Sequence, residues 1–318
     1  MKNRLKNISI VGAGTMGSCI AADFAGIGCN VILNDVSDSA LSRGKRLLNE
    51  SLKTLVERQV ISASDATETL ARICYEPDLS VVCRNADLLI EAVPEDLKLK
   101  QSMFIKFDKL CPAHTLLATN TSGLSVTEIA SVTGRAENVV GLQYWNPPHL
   151  VPLVEVTKGK LTAASTATAI VEVCREAGKV PIIIQKDVPG CVGNRLQFAV
   201  FREALHILSE GIASAEDIDT AMKYGPGLRY AFMGPLLTAD LGGLDVFNAI
   251  STYLFKELSA TEQVPEVLSN LVAQGKLGSK TGEGFYKYSE EQRRSILEER
   301  DATLAGFLKV LKKSANES

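Results

Sequence analysis

Apolar residues in this chain come in short runs closed by small or polar residues. Residues 8–12 (Ile-Ser-Ile-Val-Gly) and 31–35 (Val-Ile-Leu-Asn-Asp) are two such runs, and each predicts a buried strand. Between them, residues 15–28 carry apolar positions at helical spacing. Strand runs recur at 86–93, 115–120, 139–142, 153–156 and 180–184, and residues 38–72 predict one or two polar helices. Strands alternating with helical stretches imply an α/β fold built on a doubly wound parallel sheet. The pattern changes near residues 187–190. Beyond them, 192–210, 215–223, 241–258 and 265–274 predict helices, and the one later strand-like run is 284–288. These patterns predict two domains, residues 1–187 (α/β) and 188–318 (all-α). In the tail after Ser289, Ile296, Leu297, Leu304, Phe307, Leu308 and Leu311 recur at helical spacing. They predict a terminal helix packed on the body or on a partner subunit.

Composition narrows the class. The 318 residues are 46% hydrophobic and 22% charged, as expected of a globular protein with a sizeable core. The formal net charge of −3 gives no basic footprint for nucleic acid or an anionic membrane. No run reaches the roughly 18 apolar residues of a membrane span, and the N-terminal segment lacks the features of a signal peptide. The seven cysteines are odd in number and scattered, without a CxxC pair. They suit free thiols in a reducing, cytoplasmic setting, and no metal site is expected.

The first chemistry lies in the turn after the first strand. Gly12-Ala13-Gly14-Thr15-Met16-Gly17 reads GxGxxG, with a strand entering, a helix leaving and Asp35 closing the next strand. The first glycine permits the tight turn, the second lets backbone approach a pyrophosphate, and the third lets helix and strand pack closely. The helix N-terminus, at Thr15 and Met16, then offers free N–H groups to phosphate. A carboxylate at Asp35 suits ribose hydroxyls and repels a 2′-phosphate, so the expected cofactor is NAD.

Seven segments, in order, carry a family resemblance. They are this fingerprint with Asp35; Ile90-Glu91-Ala92-Val93-Pro94-Glu95 with Lys98 and Lys100; Ala118-Thr119-Asn120-Thr121-Ser122; and Asn146-Pro147 within residues 141–156. Then come Pro189-Gly190 and Asn194-Arg195-Leu196, and Lys280-Thr281-Gly282-Glu283-Gly284-Phe285-Tyr286. From about residue 5 to 288 the chain resembles the 3-hydroxyacyl-CoA dehydrogenase family. The resemblance implies a Rossmann domain, a helical C-terminal domain that forms a homodimer, and reversible oxidation of a 3-hydroxy group by NAD. It implies that Ala92, Val93, Glu95, Lys100, Asn120, Asn146 and Lys280 line the coenzyme site. Ser122 and Asn194 would face the reacting oxygen, and Glu155 would orient the catalytic base. The residues alone admit plainer roles: Lys98 and Lys100 a solvated helix face, Ser122 and Asn194 helix caps.

One position departs from the family pattern. Where the family carries its catalytic histidine, this chain has Gln143. An imidazole takes up a proton near neutral pH and an amide does not. Three outcomes stay open. His149, six residues on, could be the base or simply a loop histidine. Glu155 could act itself, through a water where the imidazole would lie. Or the protein could bind NAD without turnover. A second stretch, residues 225–235 (Gly-Pro-Gly-Leu-Arg-Tyr-Ala-Phe-Met-Gly-Pro), resembles the carnitine and L-gulonate 3-dehydrogenase (lambda-crystallin) branch, whose substrates are free hydroxy acids. Arg229 there would hold a substrate carboxylate, with His149 nearby, or else form a structural salt bridge. The expected activity is therefore an NAD-dependent oxidoreductase that interconverts a 3-hydroxy acid, free or as a CoA thioester, and its 3-oxo form. The alternatives are an L-3-hydroxyacyl-CoA dehydrogenase of fatty-acid or butanoate metabolism and a non-catalytic NAD-binding protein.

Overall fold

A computed structural model describes residues 5–316, with side chains described through residue 310. The first residues of the N-terminal segment and the Leu311 side chain of the tail stripe lie outside that range. In chain order the elements are β1 (Asn7–Val11), α1 (Thr15–Gly26), β2 (Asn30–Asn34), α2 (Asp38–Glu57), α3 (Ala63–Ala71), β3 (Ile73–Tyr75), α4 (Leu79–Cys83) and β4 (Leu88–Glu91). There follow α5 (Leu97–Leu110), β5 (Leu116–Thr119), α6 (Val126–Ala130), β6 (Val139–Tyr144), β7 (Leu153–Lys158), α7 (Ala164–Glu176) and β8 (Val180–Ile184). The helices α8 (Gly193–Ser209), α9 (Ala215–Tyr224), α10 (Pro226–Tyr230), α11 (Gly234–Gly242), α12 (Leu244–Leu254), α13 (Glu266–Ala273) and α14 (Glu290–Asn316) complete the chain.

One eight-stranded sheet has the order β3-β2-β1-β4-β5-β6-β7-β8. Every neighbouring pair is parallel except β6 and β7. The doubly wound reading holds, with two refinements. Only a short loop joins Tyr144 to Leu153, too little chain for a helical crossover, so β7 must turn back antiparallel. Residues 73–75, just past the stretch read as helical and not assigned to any element, form the edge strand β3. Three residues are too few to show a period.

Both faces of the sheet are covered, as a parallel sheet requires. Ile8, Ile10, Leu88 and Ile90 face one core with Phe24 of α1, Leu48 of α2 and Ile170 of α7. Leu89, Leu117 and Val139 face the other with Phe104 and Phe107 of α5. Winding runs outward from β1 to β2 and β3, then returns to place β4 on the other side of β1. This reversal creates the crevice at the strand C-termini where such sheets bind ligands.

The chain divides into two compact units. The first runs to Val192 and takes back the chain from Glu298; the second is Gly193–Leu297. The expected division had the second domain begin at 188 and keep everything to 318. The tail returns to the first unit because its apolar stripe has a surface there: Ala305 and Leu308 are buried with Leu150, beside Leu55, Val60 and Leu304. The second unit is helical. Residues 284–288 form no named strand, only isolated bridges from Glu283 to Gly278 and Lys287. Among the described residues Leu205 is its one buried hydrophobic side chain, while Phe198, Phe232, Leu236, Leu241 and Phe255 are exposed. No helix is long and apolar enough to cross a membrane among the described residues.

Candidate active site

The glycine turn has the shape its spacing predicts. Gly12 sits at φ +110°, and a Cβ there would collide with the Ala92 carbonyl oxygen. A Cβ on Gly17 would collide with the Gly12 carbonyl oxygen, so only glycine lets α1 pack this close to β1. Gly14 differs: nothing lies within 4 Å of where its Cβ would be, so its backbone faces open space. It caps α1 without a side-chain acceptor, and the first turn carries no acidic residue, leaving the dipole's positive end unopposed. Asp35 lies beside this turn, its Oδ2 accepting from Ala13 N–H (2.8 Å) and its Oδ1 from Val36 N–H (2.7 Å). A carboxylate with two such bonds retains lone pairs for hydroxyl donors. An uncapped helix end, an open glycine and a nearby carboxylate fit a dinucleotide.

Sequence reasoning missed Gly44 in α2. A Cβ there would come 2.7 Å from both Cβ and O of Ala13. Glycine at this point lets α2 lie directly on the phosphate turn. The residue sits mid-helix with no local signature, so only the tertiary contact reveals it.

At the C-terminus of β4, Glu91 and Lys100 form an ion pair (2.7 Å) with both side chains fully buried. The other Glu91 oxygen accepts from Thr119 Oγ1 (2.6 Å), and Val93 N–H donates to Oε1 (2.7 Å). Burial raises the Glu91 carboxyl above its ordinary range, and the Lys100 charge opposes that rise. Lys100 Nζ also reaches Val93 O (3.3 Å) and Glu95 Oε2 (3.4 Å). Its three N–H donors are thus directed to Glu91, Val93 and Glu95. This corrects the expectation that Lys100 lines the coenzyme surface: it is closed off from solvent and secures the 91–95 turn from beneath.

Glu95 gathers the next loop. Its Oε1 accepts from Thr121 Oγ1 (2.6 Å), Ser122 N–H (2.9 Å), Ser122 Oγ (3.2 Å) and Gly123 N–H (3.1 Å). Partial burial would raise its carboxyl, but these donors and Lys100 outweigh that and hold it below the usual range. Ala92 and Val93 are half-buried behind it, and Asn120 Oδ1 accepts from Tyr144 N–H (3.1 Å). The exposed Ser122 lies within this group.

Gln143 and Glu155 are direct partners across the antiparallel β6–β7 pair. Glu155 is fully buried. Trp145 Nε1 donates to its Oε2 (3.1 Å), and Val192 N–H donates to its Oε1 (2.9 Å). Neither donor was foreseen. Trp145 is two residues past Gln143, so its ring can return over the same strand pair only because the chain leaves the sheet there. Gln143 is 6% exposed, and its Oε1 has no hydrogen-bond partner. It borders a cavity of about 10 Å³ with Thr121, Thr157, Asp187 and Cys191, room for about one water molecule.

His149 lies elsewhere. It lines a cleft of about 410 Å³ together with Asp23, Lys179 and Leu308, and that cleft does not include Gln143. Its Nδ1 is 3.9 Å from Cys19 Sγ of α1. Burial lowers its pKa, and the Lys179 and Arg300 charges add to this while Asp301 opposes it. The exposed Asn146 precedes it, joined to Pro147 by a cis peptide. In the second unit, Asn194 is half-buried near the start of α8, and Lys280 is exposed. Arg229 is exposed on α10, with no salt bridge to it among the described residues. No group of three or more metal-binding side chains occurs among the described residues.

Residues 7–188 match the family model for the 3-hydroxyacyl-CoA dehydrogenase NAD binding domain, and residues 190–288 match the model for its C-terminal domain. The chain belongs to the 3-hydroxyacyl-CoA dehydrogenase family. It is an NAD-dependent dehydrogenase of the class acting on CH–OH groups. The chain is 38% identical to the 3-hydroxybutyryl-CoA dehydrogenase of Clostridioides difficile, over 89% of this chain and 99% of that one. With the 5-formyl-3-hydroxy-2-methylpyridine 4-carboxylate 5-dehydrogenase of Mesorhizobium japonicum it shares 33%, over 96% and 98%. Among solved structures, one described as an NAD+-dependent dismutase, a dehydrogenase of the same formyl-pyridine acid, superposes with a TM-score of 0.90 at 33% identity, covering 97% of this chain and 99% of its own. The (S)-3-hydroxybutyryl-CoA dehydrogenase of Ralstonia eutropha reaches 0.76 at 36%, covering 90% and 100%.

Proposed function

We propose that this protein oxidises, reversibly, a hydroxyl (or hydrated formyl) group on a small free carboxylic acid, with Glu155 as the final proton acceptor and Gln143 orienting the path to it. The observation that carries this reading is the Gln143 carbonyl oxygen, buried and without a donor, beside a one-water cavity and directly across from Glu155. A buried acceptor without a partner costs about 1–3 kcal/mol, so the site favours a ligand or water that donates to it. Bound NAD supplies the hydride acceptor. The chain's own task is the hydroxyl proton. In this reading the substrate O–H gives it to a water held at Gln143 Oε1, and that water passes a proton to the Glu155 carboxylate. Trp145 and Val192 N–H keep the carboxylate in place throughout. Ser122 would bind the reacting oxygen. Asp35 would take the ribose hydroxyls, with Gly12, Gly14 and Gly17 shaping the phosphate turn. Glu95, Asn120 and Asn146 would border the nicotinamide half, with Lys100 acting through Glu95.

Two facts favour a free acid over a CoA ester. The M. japonicum relative, named for a pyridine carboxylate, matches 96% of the chain, whereas the C. difficile CoA relative matches 89% of it. Arg229 is exposed on α10, has no salt bridge among the described residues, and suits a carboxylate. The exposed apolar faces of the second unit suit a homodimer, since monomers rarely leave such patches uncovered.

The test follows NADH formation over 3-hydroxy acids, formyl-substituted aromatic acids and the matching CoA thioesters. Turnover of free acids is expected, with kcat lowered about 10²–10⁴-fold by Glu155→Gln. Turnover confined to CoA esters would remove the free-acid assignment, and an active Glu155→Gln would remove the proton path. Tight NADH binding with no turnover on any substrate would defeat the catalytic reading altogether.

A further inference from the structure

Lys179, on the turn between α7 and β8, is a buried cation that the proposed chemistry does not use. Its side chain is 7% exposed and pairs at 3.0 Å with Asp23 of α1, itself 15% exposed. The same Nζ donates to the carbonyl oxygen of Pro148 (2.7 Å) and lies 5.4 Å from the centre of the Tyr144 ring. Each of the three contacts reaches a different part of the site. Asp23 belongs to the helix whose N-terminus forms the phosphate turn. Pro148 closes the Asn146-Pro147-Pro148 loop. Tyr144 stands between Gln143 and Trp145.

We infer that Lys179 is a positioning residue. It clamps the loop carrying Trp145 and Asn146 onto α1, and so sets where Trp145 meets Glu155 and where Gln143 points relative to the bound coenzyme. The physical argument is one of cost. A buried ammonium needs an anion and its remaining hydrogen bonds satisfied. Here those needs are met only if α1, the loop and the β6 terminus keep one mutual arrangement. An apolar side chain at 179 would fill the same space without imposing it. A misplacement of about 1 Å at a reacting group can lower the rate about 100-fold.

The experiment does not depend on knowing the substrate, because Trp145 is the only tryptophan in the chain. Its emission and its quenching by acrylamide report the loop directly, and NADH fluorescence reports coenzyme binding separately. Three full-length variants are compared: Lys179→Met, Asp23→Asn, and the double variant Lys179→Met/Asp23→Asn. Lys179→Met leaves Asp23 buried without its cation and lowers Tm. The double variant removes that charge and recovers Tm, yet still lacks the donor to Pro148. The expected result is a red-shifted, more quenchable Trp145 in both Lys179→Met proteins, with NADH affinity within about twofold of wild type. Asp23→Asn keeps the donor and leaves Trp145 unchanged. Where a substrate is in hand, kcat falls about 100-fold in the double variant and KM changes little. Should Lys179→Met alone fail to fold, the double variant carries the test. A Trp145 signal unaltered in the double variant overturns the inference, and so does a kcat that recovers together with Tm.

Discussion

Replacing Lys100 with methionine tests the most concentrated electrostatic feature of the molecule. The side chain is fully buried, and so is its partner Glu91. Methionine is close in volume, so the packing loss is small and the main effect is a carboxylate left without its cation. Removing one partner of a buried pair costs about 3–5 kcal/mol. Glu91 would keep Thr119 Oγ1 and Val93 N–H as donors, which argues for the lower half of that range. For a unit of this size, about 2–4 °C per kcal/mol converts the loss to a Tm drop of roughly 6–16 °C. The pH dependence has a definite sign. Burial holds the folded Glu91 carboxyl above its unfolded value, and losing Lys100 raises it further. A folded state that binds the proton more tightly gains stability as pH falls, so the variant's deficit should shrink between pH 7 and about pH 5. Glu91→Gln/Lys100→Met should recover most of the Tm. Scanning calorimetry of the single and double variants at both pH values measures all of this. A single variant that loses less than about 1 kcal/mol, the range of an exposed pair, would refute the argument.

Other consequences are equally direct. Gly44→Ala places a methyl 2.7 Å from Ala13 and should cost about 1–3 kcal/mol, together with a weaker Kd for NADH by fluorescence titration; unchanged affinity would mean that the turn gives way freely. Trp145→Phe removes a donor to the Glu155 carboxylate and should cost about 1.5–3 kcal/mol in kcat/KM, with NADH affinity unchanged. Asp35→Asn should lower the preference for NAD over NADP, read as the ratio of their Kd values. The folded-state pKa of His149 lies below its unfolded value of about 6.5. Its contribution is therefore intact above that pH and is lost as pH falls below it, so His149→Asn should flatten the Tm profile between about pH 5 and 7, and an unaltered profile would contradict the burial argument.

Much of this molecule is legible in one dimension. The strand runs, the glycine spacing and Asp35 are local patterns, and local patterns suffice because backbone geometry at a tight turn depends on a few consecutive residues. Gly12, Gly14 and Gly17 could be assigned distinct roles from spacing alone, and the structure gives each the expected surroundings. The glutamine at position 143 was equally visible, because it stands in a recognisable segment. Tertiary structure decided the rest. Lys98 and Lys100 look alike in sequence, yet α5 turns Lys100 beneath β4 to Glu91 while Lys98 stays exposed. His149 is six residues from Gln143, but the chain leaves the sheet between them and sends it to α1. The return of residues 298–310 to the first unit, the Gly44 contact and the Lys179 clamp all join segments far apart in the chain. Such pairings depend on which surfaces meet once the sheet is wound, and no window of neighbouring residues contains that information.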